Sequence, residues 1–203
     1  MTVSAVDDAV AAIRAGEPAI LPTDTVYGLC ATAADAAACG RMYRVKGREP
    51  AKPTALLAGD LDTLLDCLPE LRGRAGTIAR ALLPGPYTLI LPNPARRFLW
   101  LAGANPFAIG VRVPVLPEPS AQVLAAVGAV AATSANAAGG PDPRRVDDIP
   151  REILESVGAV VDAGELPGTP STVLDFTQAE PRVVREGAAP SADALARVVA
   201  ALL

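Results

Sequence analysis

A chain of 203 residues with a formal net charge of −4 is long enough for one packed domain and carries no overall attraction for polyanions. It has no histidine, which excludes Ser-His-Asp and Cys-His catalysis, an imidazole general base and His-ligated zinc. Aromatic residues make up 3% of a chain that is 51% hydrophobic, so the core must be built from Ala, Val, Leu and Ile; this suits an α/β sheet covered by helices.

In chain order, Ser4 is placed to cap a helix running through Arg14, with Asp7 and Asp8 in its opening turn and Gly16 closing it. Residues 18–22 form a short apolar strand that ends in a polar loop. A second helix starts near Asp35, runs toward Val45 and stops at Gly47. Residues 54–58 read as a buried strand, 61–67 and 71–82 as helices, and Pro84-Gly85-Pro86 as a break. Strands follow at 87–91 and 109–113, then a helix at 120–126 leading into a strand at 129–133. A polar loop with Gly139 and Gly140 occupies 134–143. A short helix after Pro150, strands at 159–162, 172–176 and 182–185, and a last helix capped by Ser191 complete the chain. Helices and strands alternate, but several strands follow one another directly. The expectation is an α/β fold: one twisted sheet, mixed parallel and antiparallel, flanked by helices in a single domain over 1–203, with its core at about 5–190.

Cys30, Cys39 and Cys67 are odd in number and form no Cys-x-x-Cys, the pattern of reduced core thiols. The N-terminus lacks a basic region followed by an apolar core, and no run of eighteen apolar residues occurs, so a cytoplasmic protein without a membrane span is expected.

Four segments could carry chemistry. Thr23-Asp24-Thr25-Val26-Tyr27-Gly28 places two hydroxyls, a carboxylate and a phenol at the carboxyl end of a buried strand, where α/β sheets collect ligands; a turn with Asp24 bonding its own backbone fits equally. The chain has only two lysines, Lys46 and Lys52, both in the strongest basic segment. There Gly47 frees the backbone so that Lys46 and Arg48 can converge on one anion; the competing reading is a solvated helix end. No P-loop or Gly-x-Gly-x-x-Gly pattern is present. Thr133-Ser134-Ala135-Asn136 sets side-chain donors and acceptors where an apolar strand ends, and Pro170-Ser171-Thr172 repeats the design before a later one; plain turns are the alternative for both. Arg112, inside an apolar strand, must be paired or bind an anion.

Read in order, PTDTVYGL (22–29), KGR (46–48), PGPYTLIL (84–91), VRVP (111–114), SAN (134–136), PSTV (170–173) and REG (185–187) resemble the YrdC family, the threonylcarbamoyl-adenylate synthases of tRNA modification. The resemblance runs from about residue 5 to 190 and is to the family's short form. It implies a YrdC-like sheet with a concave, electropositive cavity. It also implies a reaction joining L-threonine, bicarbonate and ATP into threonylcarbamoyl-adenylate with release of pyrophosphate. The carbamoyl group then passes to adenosine 37 of tRNA through a partner complex. By motif, Lys46, Arg48, Ser134 and Asn136 match the set around the nucleotide, with Lys46 and Arg48 as the catalytic cations. Lys52, Asp142 and Arg185 fall where the family contacts ATP, and Thr25, Tyr27, Arg112 and Ser171 fall on the threonine and bicarbonate side. Mg²⁺ is expected to accompany ATP, with no direct protein ligands.

Three positions depart from the family pattern: Leu57 stands where many members have histidine, Ala108 where threonine is common, and Asp142 where a small hydroxyl is usual. Two other readings therefore stand beside the synthase: a paralogue that binds nucleotide or RNA without making this product, and a carbamoyltransferase acting on another small substrate. Direct binding of tRNA should be weak or absent for an acidic chain.

Overall fold

The computed structural model describes residues 3–49 and 51–203. Helix α1 (Val3–Arg14) begins ahead of Ser4, so Ser4 lies inside the first turn and is not its cap, and that turn holds no acidic residue. Strand β1 (Ala19–Pro22) then turns through residues 23–26 into β2 (Tyr27–Thr32), with Ala19 opposite Cys30 and Pro22 opposite Tyr27. The turn is closed by Thr23, whose hydroxyl donates to the Val26 carbonyl at 2.7 Å and accepts the Thr25 and Val26 N–H groups at 3.2 and 3.3 Å. The sequence suggests only a loop after β1. Gly, Cys and Ala have weak strand preference, and β2 is held instead by ladders on both of its edges.

Helix α2 (Ala36–Lys46) has the ends its sequence demands. The Asp35 carboxylate accepts the Ala37 N–H at 2.8 Å, and Gly47 adopts the left-handed region at φ 64°, sending its N–H to Arg44. There follow β3 (Ala55–Leu57), α3 (Leu61–Cys67) capped by Asp60, α4 (Gly73–Leu82), β4 (Tyr87–Pro92), β5 (Ala108–Arg112) and α5 (Glu118–Val127). The chain ends with β6 (Val130–Ser134), α6 (Arg151–Leu154), β7 (Ala159–Val160), β8 (Thr172–Asp175), β9 (Arg182–Arg185) and α7 (Ser191–Leu202). Ser191 is the first residue of α7, not its cap: its N–H and hydroxyl both donate to the Glu186 carboxylate.

The nine strands form one sheet in the order β7-β1-β2-β6-β3-β5-β4-β8-β9. β1–β7, β3–β5 and β4–β8 are parallel and the remaining pairs antiparallel, so the sheet is mixed as expected. Strand alternation then assigns each residue a face. Leu29, Leu56, Leu89, Val111 and Leu174 project to one face, where they bury completely beneath α2, α3, α4 and α7. On the other face a second cluster, including Leu21, Cys30, Leu57 and Val130, packs under α1 and α5 through Ile13, Val123 and Leu124. Those two helices cover only the β1–β6 end. Beyond them the second face is open, and small and polar residues predominate there beside Leu57, Ile90 and Val173.

Gly47 has no atom within 4 Å of where a Cβ would sit, so its role is conformational. Gly47→Ala is expected to lower stability by about 1–2 kcal/mol through backbone strain alone, read by denaturant unfolding. An unchanged midpoint would show that the helix end can relax without a left-handed residue.

Candidate functional site

The open part of the second face is a cavity of about 450 Å³. Its floor follows from register. Ser134, Pro53 and Ala108 lie toward one side of it, Ala132, Ala55 and Gly110 across the middle, and Leu57, Arg112 and Thr88 along the other side. The middle row carries almost no side-chain volume, which is why the sheet is hollow there. Ser171, Asp175, Thr177 and Arg185 close the β8–β9 end.

At the β6 end, α2 delivers Lys46 into the protein, not into solvent. Lys46 is 5% exposed, and its ammonium donates to the Ser134 carbonyl and to Asn136 Oδ1, with Ser134 Oγ at 3.3 Å. Ser134 Oγ donates to the same Asn136 oxygen at 2.7 Å, and Asn136 Nδ2 closes the following loop onto the Gly140 carbonyl. Burial, reinforced by the neighbouring Arg48 charge, pushes the Lys46 pKa down to about 8, against a smaller opposing pull from Asp142. Arg48, one residue past the Gly47 turn, lines the cavity and anchors one guanidinium nitrogen on the Pro53 carbonyl at 2.5 Å; its Nε is buried and has no partner among the described residues.

The opposite wall is built on a buried ion pair. Arg112 Nη2 donates to Asp24 Oδ1 and, at 2.7 Å, to Thr25 Oγ1; Asp24 Oδ2 accepts the Val115 N–H at 3.3 Å. Burial pushes the Asp24 carboxyl above its ordinary value in spite of Arg112. Arg112 Nε, like that of Arg48, is buried without a partner among the described residues. Next to it Thr88 and Ser171 share a 2.8 Å hydroxyl contact, and Arg185 donates to the Ser171 carbonyl at 2.8 and 3.1 Å.

Of the residues singled out from sequence, Arg48, Arg112, Ser134, Asp142, Ser171 and Arg185 line this cavity, and Lys46 and Asn136 join it through Ser134. Thr25 stands behind Arg112 and acts through it. Two residues are not brought in. Tyr27 faces away, because alternation along β2 turns Gly28 to the cavity and Tyr27 to the main core. Its hydroxyl is held by the Gly164 carbonyl at 2.7 Å, Asp162 Oδ1 at 2.9 Å and the Ala163 N–H at 3.0 Å, and burial pushes its pKa up to about 12. In this structure Tyr27 ties β2 to the 162–164 segment and lies outside the cavity lining. Lys52 is exposed and lies outside the lining. Asp175, Thr177 and Gly110 are cavity residues outside the quoted motifs, and Thr88 lies inside PGPYTLIL with nothing in the sequence to single it out. Counting by twos along β4, β5 and β8 from Arg112 and Ser171 finds them only once those strands are known to share a face.

Among the described residues no group of three or more His, Cys, Asp or Glu is arranged to hold a metal ion, and no helix is long and apolar enough to cross a membrane. Of the wall carboxylates, Asp142 is near enough to act on Lys46, whereas Asp175 is taken up by Thr177 and Arg182.

A hollow, cation-lined face on a mixed sheet, with buried guanidinium and ammonium donors converging from α2 and β5, defines an anion-binding α/β enzyme domain. The family model described as Telomere recombination, named for Sua5, YciO and YrdC, matches residues 11–187, and the chain belongs to this family. The threonylcarbamoyl-AMP synthase of Chromohalobacter salexigens is 33% identical over 179 residues, covering 88% of this chain and 96% of the relative. Pyrococcus abyssi Sua5 complexed with L-threonine superposes with a TM-score of 0.82 at 29% identity, over 96% of this chain and 57% of that one; the present chain thus spans little more than half of it. Escherichia coli YciO gives a TM-score of 0.77 at 28% identity, over 91% and 90%.

Removing Asp24 leaves the Arg112 charge buried without its partner. Asp24→Ala is expected to cost about 3 kcal/mol in denaturant unfolding, with Asp24→Asn intermediate. A loss under about 1 kcal/mol would mark the pair as solvent-screened. The folded pKa of Lys46 is lowered, so between about 8 and 10.5 the unfolded chain holds more of this lysine's proton, and the lysine's own contribution to stability rises with pH. Below that window the lysine is charged in both states. Buried Cys30 and Cys39, whose pKa values burial pushes up to about 12, act in the opposite sense. The check is therefore the difference between pH series of unfolding curves on the native chain and Lys46→Met: the native chain should gain stability relative to the variant across the window, and parallel curves would show an unshifted lysine.

Proposed function

We propose that this chain condenses L-threonine, bicarbonate and ATP into threonylcarbamoyl-adenylate, releasing pyrophosphate. The observation that carries the reading is a single cavity whose walls hold the Arg48 and Arg112 guanidinium groups, beside the buried Lys46 ammonium held by Ser134 and Asn136. Cations gathered in a partly desolvated site gain most from anions, and a carboxylate and a phosphate on one ligand set would supply two.

In this reading Arg112, held by Asp24 and Thr25, takes the threonine carboxylate beside Ser171 and Thr88. Lys46 and Arg48 face the α-phosphate, Ser134 and Asn136 orient the phosphates, and Arg185 contributes from the β8–β9 end. The threonine amine, deprotonated, attacks the bicarbonate carbon and water leaves, giving a carbamate. A carbamate oxygen then attacks the α-phosphorus and the bond to pyrophosphate breaks. Neither step needs an imidazole; both need alignment and charge neutralisation in a site that keeps bulk water out. Mg²⁺ bound with the triphosphate would spread its negative charge, with no direct protein ligand required of the cavity wall. The adenylate would then pass to a complex that modifies tRNA, consistent with a chain whose acidic balance gives no general attraction for RNA.

A second reading, a nucleotide-binding paralogue without synthase activity, is favoured by the apolar Leu57 and Ala108 in the cavity wall and by the match to YciO over nearly its whole length. Pyrophosphate release from ATP separates the two. Release that requires both threonine and bicarbonate, and that falls at least about a hundredfold in Lys46→Ala, is the expected result, the scale of losing one preorganised donor to the transition state. ATP binding without release would favour the paralogue. ATP binding at about pH 8.5 should also take up protons, because the triphosphate raises the pKa of Lys46 from its depressed value. Calorimetry in buffers of different ionisation enthalpy reads this uptake, which Lys46→Arg should abolish.

A further inference from the structure

Gly110 stands in the middle of β5, between Ala55 on β3 and Ile90 on β4. With Ala132 beside Ala55, it completes the bare row of the cavity floor. A glycine inside a central strand sacrifices packing and adds to the entropy lost on folding, so it marks a bulge, a bend or a close approach. Here there is no bulge: the ladders on both sides of Gly110 are regular. Nor does the backbone need glycine, since φ lies outside the left-handed region. The atoms nearest to a Cβ there would be the Ala55 Cα at 3.6 Å and the Ala55 Cβ and Thr54 carbonyl oxygen at 3.9 Å, which are ordinary contacts. The fold would accept alanine at this position.

Space alone names no ligand, but its neighbour does. Arg112, two residues along on the same face, is 9% exposed, lines the cavity, and carries a buried Nε without a partner among the described residues. Residues i and i+2 of a strand are about 7 Å apart, the scale of a small amino acid lying with its carboxylate at one and its body over the other. We propose that Gly110 is a specificity-determining residue, a size gauge whose missing side chain gives the amino-acid substrate direct contact with the β5 backbone. This rests on the threonine reading above. The ligand class is a small α-amino acid, with its carboxylate on Arg112.

The test is pyrophosphate release with L-threonine and with L-serine in the native chain, Gly110→Ala and Gly110→Val, alongside thermal unfolding and ATP affinity. Gly110→Ala should melt at or above the native temperature and keep its ATP affinity. Its kcat/KM for threonine should fall between about 10- and 200-fold, mainly through KM, the discrimination one added methyl provides. Serine, lacking the methyl, should lose less. Gly110→Val should remain folded, bind ATP and release no pyrophosphate with either amino acid. Unchanged kcat/KM in Gly110→Ala would overturn the gauge while leaving the synthase reading intact, and a clear drop in its melting temperature would show that the fold itself requires glycine. A native chain silent with threonine would overturn the reading and the gauge together.

Discussion

An ammonium taken out of water must be given oxygen atoms in return, and the arrangement around Lys46 follows from that requirement. The lysine ends α2, where the helix dipole already favours a cation, and its charge is met by the Ser134 carbonyl and Asn136. Those acceptors belong to the end of β6 and the loop after it, so the helix and the strand end are fixed against each other by one side chain. Gly47 then turns the chain so that Arg48 reaches the same cavity. Because Lys46 is desolvated and crowded by a second cation, it is poised to gain from any arriving anion. In a chain without histidine, such fixed charges are the means by which phosphate chemistry can be assisted.

The sheet supplies the room for that chemistry. One face is covered by helices and large aliphatic residues from β2 through β8. The other is covered only where α1 and α5 reach, and the uncovered strands place Ala132, Ala55 and Gly110 side by side. Leu57 marks the boundary, belonging both to the cluster under α5 and to the cavity wall. Where the family resemblance leads one to look for histidine, this chain extends its second core to the edge of the site.

Much of this was legible in the amino-acid order where local chemistry decides the outcome. Asp35 and Gly47 bound α2 because capping and left-handed turns are set by a few adjacent residues, and the alternation of β4 and β8 shows in their sequences. What depends on distant pairing was not legible. β2 is weak by propensity and exists because β1 and β6 flank it. Tyr27 shares a motif with Thr25, but the pleat sends it to the opposite face. Lys52 lies in the same basic segment as Lys46, yet it follows the helix end and stays in solvent. Strand order was hidden as well, so Thr88 and Gly110 had no visible link to Arg112.

The contacts that make the site also span the chain. Lys46 meets Ser134 across 88 residues of sequence, Arg112 meets Asp24 across the same separation, and Tyr27 reaches Asp162 across 135. Each requires a long loop to be closed before it contributes anything, an entropic cost that local helices do not face. A chain with this topology belongs among the slower folders. The cavity lining runs from Thr23 to Arg185, so no short stretch of the chain carries both walls. The site is a property of the finished sheet, and a chain that has not yet reached β8 and β9 lacks one end of it.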